Sequence, residues 1–507
     1  MELNRHICTQ LIEKAKSFSQ ITLDDDYIVR DNKPDVIRVI YSNGDILIED
    51  IKTGNQGLWI SGKLRFSTLY QSDDENRRLE SVNGEVPFQE KIVMDEIEDD
   101  ADVIVDMTIE DLSVGIINSR KLAIRAVVNV SAKNLEETDA GLVCDVLESG
   151  YEQKQTELPI LCLVENTKDQ LRLQKEMILP NARSNIGQIV FYQVDFRNEE
   201  ITLQDDGVQV KMDAPIWILY RSESTGEYEC FETSVPLSGE FSIGPLHGDE
   251  IFWARIKPLE VEVEPRSDYD GENRMLGLDL VLSIELQIYR EENCQILQDI
   301  YALDKDLLIE RERIPINQLL MKNISKIRLM EQEQLEPNQQ KILQICGSSG
   351  NVTIDRVQKR ENGLQVEGVL TVHILYNTTD DAMPFAHTSS QIPFEHFVEI
   401  DGFTEDSLYW IHERVEQLQV NLLEISEYEV KAILEIAILA LKQEELSNIF
   451  SIEEQELDIE TMKKQPGMIG YIRRDGEDLW DVAKKYHAST DNMIEIGNKI
   501  LVVKQII

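Results

Sequence analysis

The sequence predicts a mainly β protein: three tandem antiparallel β-sandwich or barrel-like repeats followed by a small β-α-α-β module. Three observations carry this reading. One stretch of alternating apolar and polar residues is written three times, at Gly57–Tyr70, Gly207–Tyr220 and Gly363–Tyr376, and alternation with a period of two marks a strand with one face on a core. A Val-Pro or Ile-Pro pair follows each of these tyrosines, with Pro87, Pro236 and Pro393 lying 17, 16 and 17 residues beyond. From Met468 the apolar period turns helical.

Each repeat passes through the same parts. Met1–Ser19 reads as a short, mildly helical lead-in (Gln10-Leu-Ile-Glu-Lys-Ala-Lys). A first strand follows (Gln20-Ile-Thr-Leu-Asp, Gln170-Leu-Arg-Leu-Gln, Lys326-Ile-Arg-Leu-Met), then a corner marked by Pro34, Pro180 or Pro337, where proline fixes φ and extends the residue before it. A second strand leads into the Gly…Tyr strand. A polar loop returns through Val86-Pro87-Phe88, Val235-Pro236-Leu237 and Ile392-Pro393-Phe394, with the proline expected at a strand start, where no ladder N–H is lost. Two long strands close each repeat. The last, Tyr428–Leu441, has the Ala, Leu and Glu content of a helix, but its place in the repeat makes it a strand. The expected units are 20–135, 168–303 and 324–445. Segments 136–167 and 304–323 are expected as extended connectors packed on a domain, and 446–467 as a linker. Pro215 predicts that the middle copy is the least regular.

The bulk composition limits function. A chain of 507 residues with 42% apolar content can bury several cores. Its formal charge of −45 argues against nucleic acid or anionic lipid as the main partner, although the acid also serves simply to keep a β-rich chain soluble. Cys8, Cys144, Cys162, Cys230, Cys294 and Cys346 show no CxxC spacing and read as single thiols in a reducing compartment, neither a disulfide framework nor a zinc site. Met1–Cys8 has no long apolar run, and no stretch approaches 18 uncharged apolar residues, so the expectation is a cytoplasmic protein without a signal peptide or membrane span.

No catalytic constellation is read, and no cofactor or metal is expected. His373, His387, His396 and His412 match no metal-ligand spacing. Asp24–Asp26 and Glu98–Asp102 lack the glycine of a calcium loop and read as solvated turn acids. Gly347-Ser-Ser-Gly350 precedes a strand and reads as a turn. Tyr70, Tyr220 and Tyr376 read as structural anchors of their hairpins.

The tail differs in charge as well as in period: six basic residues balance six acidic ones in 468–507. Asp478 is a plausible N-cap, and Leu479, Val482, Ala483 and Tyr486 form one face of a short helix. Ser489–Ile494 is expected to cap a second helix and Ile500–Lys504 to form the closing strand. Tyr471, Gly476, Leu479, Trp480, Val482, Ala483, Lys484 and Tyr486 meet the first-half pattern of a LysM module, which this segment resembles. It departs at Arg473, Glu477 and Asp478, and its second half is short. Three β repeats with a Lys33-Pro34-Asp35 corner, a Gly…Leu-Tyr strand and an Ile/Val-Pro-Phe return, followed by one LysM module, resemble a clostridial sporulation family whose repeats are called SPOCS domains. That resemblance implies a non-enzymatic scaffold of spore-coat morphogenesis. It implies a place at the forespore surface in the mother cell and a tail that binds the coat-basement ATPase. The partner-binding candidates are Ile472, Arg474, Asp475, Gly476, Glu477, Asp478, Trp480 and Lys484. Trp480 is either a core aromatic or an interface anchor flanked by Arg474 and Lys484. A peptidoglycan-binding wall protein, with the 475–478 turn lining a sugar groove, is the alternative.

Overall fold

A computed structural model describes residues 1–54, 57–74, 77–95, 97–99, 101–380, 382–456, 466–474 and 476–503. The first unit contains β1 (Leu3–Ile28), β2 (Val36–Gly54), β3 (Gly57–Ser72), β4 (Leu79–Ile92), β5 (Val103–Asn118) and β6 (Lys121–Val146). The second contains β7 (Tyr151–Ile178), β8 (Ile186–Val194), β9 (Arg197–Gln204), β10 (Gly207–Ser222), β11 (Tyr228–Ser242), β12 (Ile251–Arg266) and β13 (Met275–Ala302). The third contains β14 (Lys305–Gln334), β15 (Ile342–Arg360), β16 (Gly363–Thr378), β17 (Phe385–Glu399), β18 (Leu408–Glu424) and β19 (Glu427–Glu456). In each unit the Gly…Tyr strand is the centre of one antiparallel sheet, ordered β2-β3-β4, β8/β9-β10-β11 or β15-β16-β17. The other sheet is ordered β1-β6-β5, β7-β13-β12 or β14-β19-β18. Apolar faces of the two sheets share one core per unit, so each is an open sandwich and none is a closed barrel.

The tyrosines that end the central strands are fully buried. The Tyr70 and Tyr376 hydroxyls donate to the carbonyls of Pro34 and Gln340 (3.1 Å each), and the Tyr220 hydroxyl, which meets Glu229 at 2.9 Å, lies 3.3 Å from the Ser184 carbonyl; each carbonyl is 36 residues upstream. The loops before β2, β8 and β15 are thus held at one common position. Their prolines are not: Pro34 aligns with Ser184 and Gln340, so Pro180 and Pro337 occupy other places in the same corner. Pro87, Pro236 and Pro393 stand opposite Lys63, Asp213 and Val369. They lie within β4, β11 and β17 and not at strand starts, and they are tolerated because these are edge strands, where alternate N–H groups face away from the ladder. Opposite Pro215 the neighbouring strand is interrupted between β8 and β9, whereas β2 and β15 run through.

The glycines of the central strand have a packing reason. A Cβ on Gly62 would lie 2.2 Å from the Leu47 carbonyl oxygen and 3.0 Å from the Phe88 ring, and one on Gly368 would lie 2.4 Å from the Thr353 oxygen and 2.7 Å from the Phe394 ring. Glycine and phenylalanine are cross-strand partners in both units. In the middle unit the pair is Met212 with Leu237, which redistributes the volume across the ladder.

The expected lead-in 1–19 is strand, not helix: residues 3–19 pair with β6, and Cys8, Leu11 and Ile12 are buried. Segments 136–167 and 304–323 are likewise strand, and their chain reversals lie at 147–150 and 303–304. Of the expected linker, 446–456 belongs to β19 and 457–465 lies outside the described residues. Asp24–Asp26 are in β1, and Gly347–Gly350 is in β15, not a turn. Gly347 is required because a Cβ there would meet the Trp217 indole at 2.3 Å.

From the ends of β5, β12 and β18 outward, the first and last strands of each unit continue as two-stranded arms. They pair 3–13 with 135–146, 151–163 with 289–302, and 305–319 with 441–456. Irregularities fall at matching positions: Lys14, Val164 and Leu320 are passed over on one strand, and Cys144, Gln298 and Phe450 on the other. The three arms share successive apolar clusters, each containing residues of all three. Among these, Gln10 donates to the Leu161 carbonyl (3.1 Å) and accepts from the Asn317 N–H (2.9 Å), and the Asn317 amide donates to the Leu11 carbonyl (3.0 Å). Asn448 accepts from the Val143 N–H (3.0 Å). Cys8 and Cys162 form a disulfide between the first and second arms, correcting the expectation of six separate thiols. The residues lie 154 apart in sequence, so only the packing of the arms brings them together.

At the base of the arms, equivalent positions on β5, β12 and β18 carry Asp106, Arg255 and His412. Asp106 pairs with Arg255 and Lys257. Burial acts to raise the Asp106 carboxyl, but the two cations outweigh it and bring it down to about 2. Burial and then the Arg255 charge bring His412 down to about 4. Nearby Arg414 joins Glu199 of the second unit (2.8 Å) to Glu435 of the third (3.0 Å).

Two predictions follow from these contacts. Tyr376→Phe removes one hydrogen bond and lowers stability by about 1 kcal/mol, while Tyr376→Ala opens a cavity and costs about 3–5 kcal/mol; urea titration of the full chain checks both. Asp106→Asn leaves two cations without their partner and costs about 3 kcal/mol. Because the folded carboxyl lies below its unfolded value near ~3.9, its contribution is complete above that pH. It is lost as pH falls toward about 2, so the difference between wild type and Asp106→Asn narrows over that window in acid titrations followed by circular dichroism.

Candidate partner-binding site

The C-terminal module contains β20 (Met468–Ile472), α1 (Leu479–Tyr486), a single 3₁₀ turn at Thr490–Asn492, β21 (Met493–Ile496) and β22 (Lys499–Val503). Its sheet has the order β20-β22-β21. The expected second helix is only that one turn, because the chain re-enters the sheet at once. Met493 and Ile494 follow strand alternation, and Gly497 with φ of 65° makes the β21–β22 reversal. Asp478 caps α1 through a reciprocal pair of 2.9 Å bonds with Asp481. Val482, Ala488, Ile500 and Val502 form the small core, with Leu479, Tyr471 and Tyr486 packed on it.

The structure divides the predicted site residues among three places. Glu477 accepts from the Tyr471 hydroxyl (2.8 Å) and the Arg474 N–H (3.0 Å). Its carboxyl is lowered by the Arg474 N–H and then by Tyr471. Glu477 therefore shapes the turn in which Arg474 and Gly476, with φ of 88°, are exposed. Asp475 lies outside the described residues. Asp478, Trp480 and Lys484 face the second arm. The Trp480 indole N–H donates to Asp299 (2.8 Å), Lys484 donates to the other oxygen of Asp299 (2.6 Å), and Lys154 pairs with Asp478 (2.7 Å). The Trp480 ring meets Tyr301 edge-on, with centroids 4.8 Å apart. The Tyr301 hydroxyl donates to the Ala488 carbonyl (2.8 Å), and His487 Nδ1 donates to the Ala302 carbonyl (3.0 Å). Burial acts to raise Asp299, but the bonds from Lys484 and Trp480 prevail and lower it. Trp480 is thus half-buried against the second arm of this same chain.

The second arm is chosen by its side chains. Asp299 follows the irregularity at Gln298, and the positions equivalent to Lys154, Asp299 and Tyr301 are Asn4, Asp145 and Leu147 in the first arm and Glu310, Ser451 and Glu453 in the third. Neither offers the same cation, carboxylate and aromatic.

Ile472 is placed differently, on the outer face of the small sheet, 63% exposed. Met468 (64%), Ile494 (53%) and Ile496 (73%) stand on that face with it. These three were missed in the sequence reading. Their signal was strand alternation in Met468–Ile472 and Met493–Ile496, obscured by the expectation of a helix over the second run. Elsewhere, His373 and His387 approach to 3.1 Å beside Tyr41 in the core shared by the three units. Burial and then His373 bring His387 down to about 3, so this pair is neutral packing. Among the described residues, no helix is long and apolar enough to cross a membrane.

Each unit thus holds two antiparallel sheets over one core, with the central-strand tyrosine set against the loop between them. Residues 35–117 and 341–423 match the family described as SipL, SPOCS domain, so the chain is similar to SPOCS-domain proteins. More particularly, it is similar to SipL. The matched segments run from the loop before β2 through β5 and from the loop before β15 through β18; β8–β12 of the middle unit lie outside them. Comparison with curated proteins returned no match.

Trp480→Ala or Asp299→Ala is expected to release the module from the second arm. Hydrogen exchange in 479–488 should accelerate by an order of magnitude or more while exchange in the three sandwiches stays unchanged; unchanged exchange in 479–488 would count against the contact.

Proposed function

We propose that this chain is a non-enzymatic scaffold of spore-coat morphogenesis in the mother cell, built from three copies of one domain with a LysM-like module that binds a coat-basement ATPase on the forespore surface. The SPOCS match at both ends of the β array supports the first part. The observation that carries the second is the outer sheet face of the module. Met468, Ile472, Ile494 and Ile496 form an apolar surface on a segment whose charges balance, attached to a body bearing the −45. The helix face with Trp480 and Lys484 is engaged by the second arm, which leaves the sheet face as the docking surface for a folded protein partner. Arg474 and Gly476 border it at the end of β20. Central apolar anchors of this kind dominate protein interfaces.

Ile494→Glu combined with Ile496→Glu in the full chain should weaken capture of the ATPase at least tenfold, with the sandwich signal unchanged by circular dichroism. Undiminished capture would remove the sheet face from the reading. Sedimentation of the full chain with insoluble peptidoglycan, in place of ATPase capture, would instead favour the wall-protein alternative.

A further inference from the structure

The arms bring together a set of ligand-forming side chains that the scaffold reading does not use. Cys8 and His6 lie two residues apart on the same face of β1, and Cys162 and Glu292 face them from β7 and β13. His6 Nε2 lies 2.8 Å from a Glu292 carboxylate oxygen, and the donor atoms of His6, Cys162 and Glu292 all fall within 4.8 Å of one another. Cys8 is bonded to Cys162, so reduction would leave its sulfur beside this cluster. The two sulfurs are buried, while the imidazole and carboxylate are partly open and line a surface groove together with Cys144 and Cys294. The Gln10 side-chain amide donates to Cys8 Sγ at 2.8 Å. A disulfide sulfur is a poor acceptor, whereas a thiolate bound to a metal regularly takes such a bond from its surroundings.

We propose that Cys8, Cys162, His6 and Glu292 form a redox-gated zinc site between the first and second arms. In the oxidised chain the two sulfurs are joined and offer no thiolate. A dithiol reductant supplies two electrons and two protons, leaving as its own disulfide and converting the Cys8–Cys162 bond into two thiols. Zn²⁺ then displaces both thiol protons and takes two sulfurs, one imidazole nitrogen and one carboxylate oxygen, a set suited to its tetrahedral preference. Either state ties the arms together: one with a covalent bond, the other with a metal that binds only when its ligands are deprotonated.

The test uses the full chain, oxidised or reduced with a phosphine, incubated with zinc chloride and freed of unbound metal. The expected zinc content is about one per chain when reduced and under a tenth of that when oxidised. His6→Ala, on the surface of the first arm, should reduce retention at least tenfold, as outer and inner ligands of zinc sites typically do, and Cys294→Ala should leave it unchanged. Cobalt in place of zinc should show thiolate-to-metal charge transfer only in the reduced chain. Equal zinc in both redox states, or full retention by reduced His6→Ala, would overturn the site.

Discussion

The structure depends on the fact that no arm can stand alone. A two-stranded ribbon is marginal in water, and each arm has apolar side chains that its own sandwich does not cover. Packing three such ribbons together buries Leu11 with Leu161 and Leu441, then Ile160 with Leu142 and Ile316, then Val143 with Leu297 and Ile449. The segments that look like joins between domains are therefore the strands that fuse them. A one-residue slip in any arm would turn its apolar set outward. The matching irregularities at Lys14, Val164 and Leu320 show that all three accept the same local twist to keep register.

Similar units that meet at one core must differ where they touch. In the core beneath the central strands, equivalent positions hold Tyr41, Phe191 and Gly347, and the absent side chain of Gly347 leaves room for Trp217. In the arms, Gln10 and Asn317 cross-link through backbone groups where their counterparts are apolar. At the base, Asp106 meets Arg255. A buried ion pair is weak evidence of stability, but one unlike residue in an apolar layer is an established way to fix which element sits beside which. The same inequality sends the C-terminal module to the second arm, where Lys154, Asp299 and Tyr301 occur together.

Much of this was legible in the residues. Alternation showed the strands, and the near-constant step from Tyr to Pro showed that they recur. The N-cap at Asp478 and the apolar face of α1 were readable because capping and helical spacing are local. Of the candidate site residues, Trp480 could be read as a core aromatic or an interface anchor but not assigned a contact, since Asp299 is 181 residues away in sequence. Met468, Ile494 and Ile496 escaped notice because four or five alternating residues carry too little signal against a helical expectation.

By itself, then, the sequence determined the β class, the central Gly…Tyr strands, the loss of regularity at Pro215 and the change of character at Met468, all consequences of local periodicity and backbone restriction. Only the tertiary structure decided that residues 1–19 are strand, that the supposed connectors pair into arms, that Cys8 reaches Cys162, and that the helix face of the module is turned inward while its sheet face is left outside. Those outcomes depend on which apolar faces find each other across more than a hundred residues of chain, and no local pattern encodes the partner.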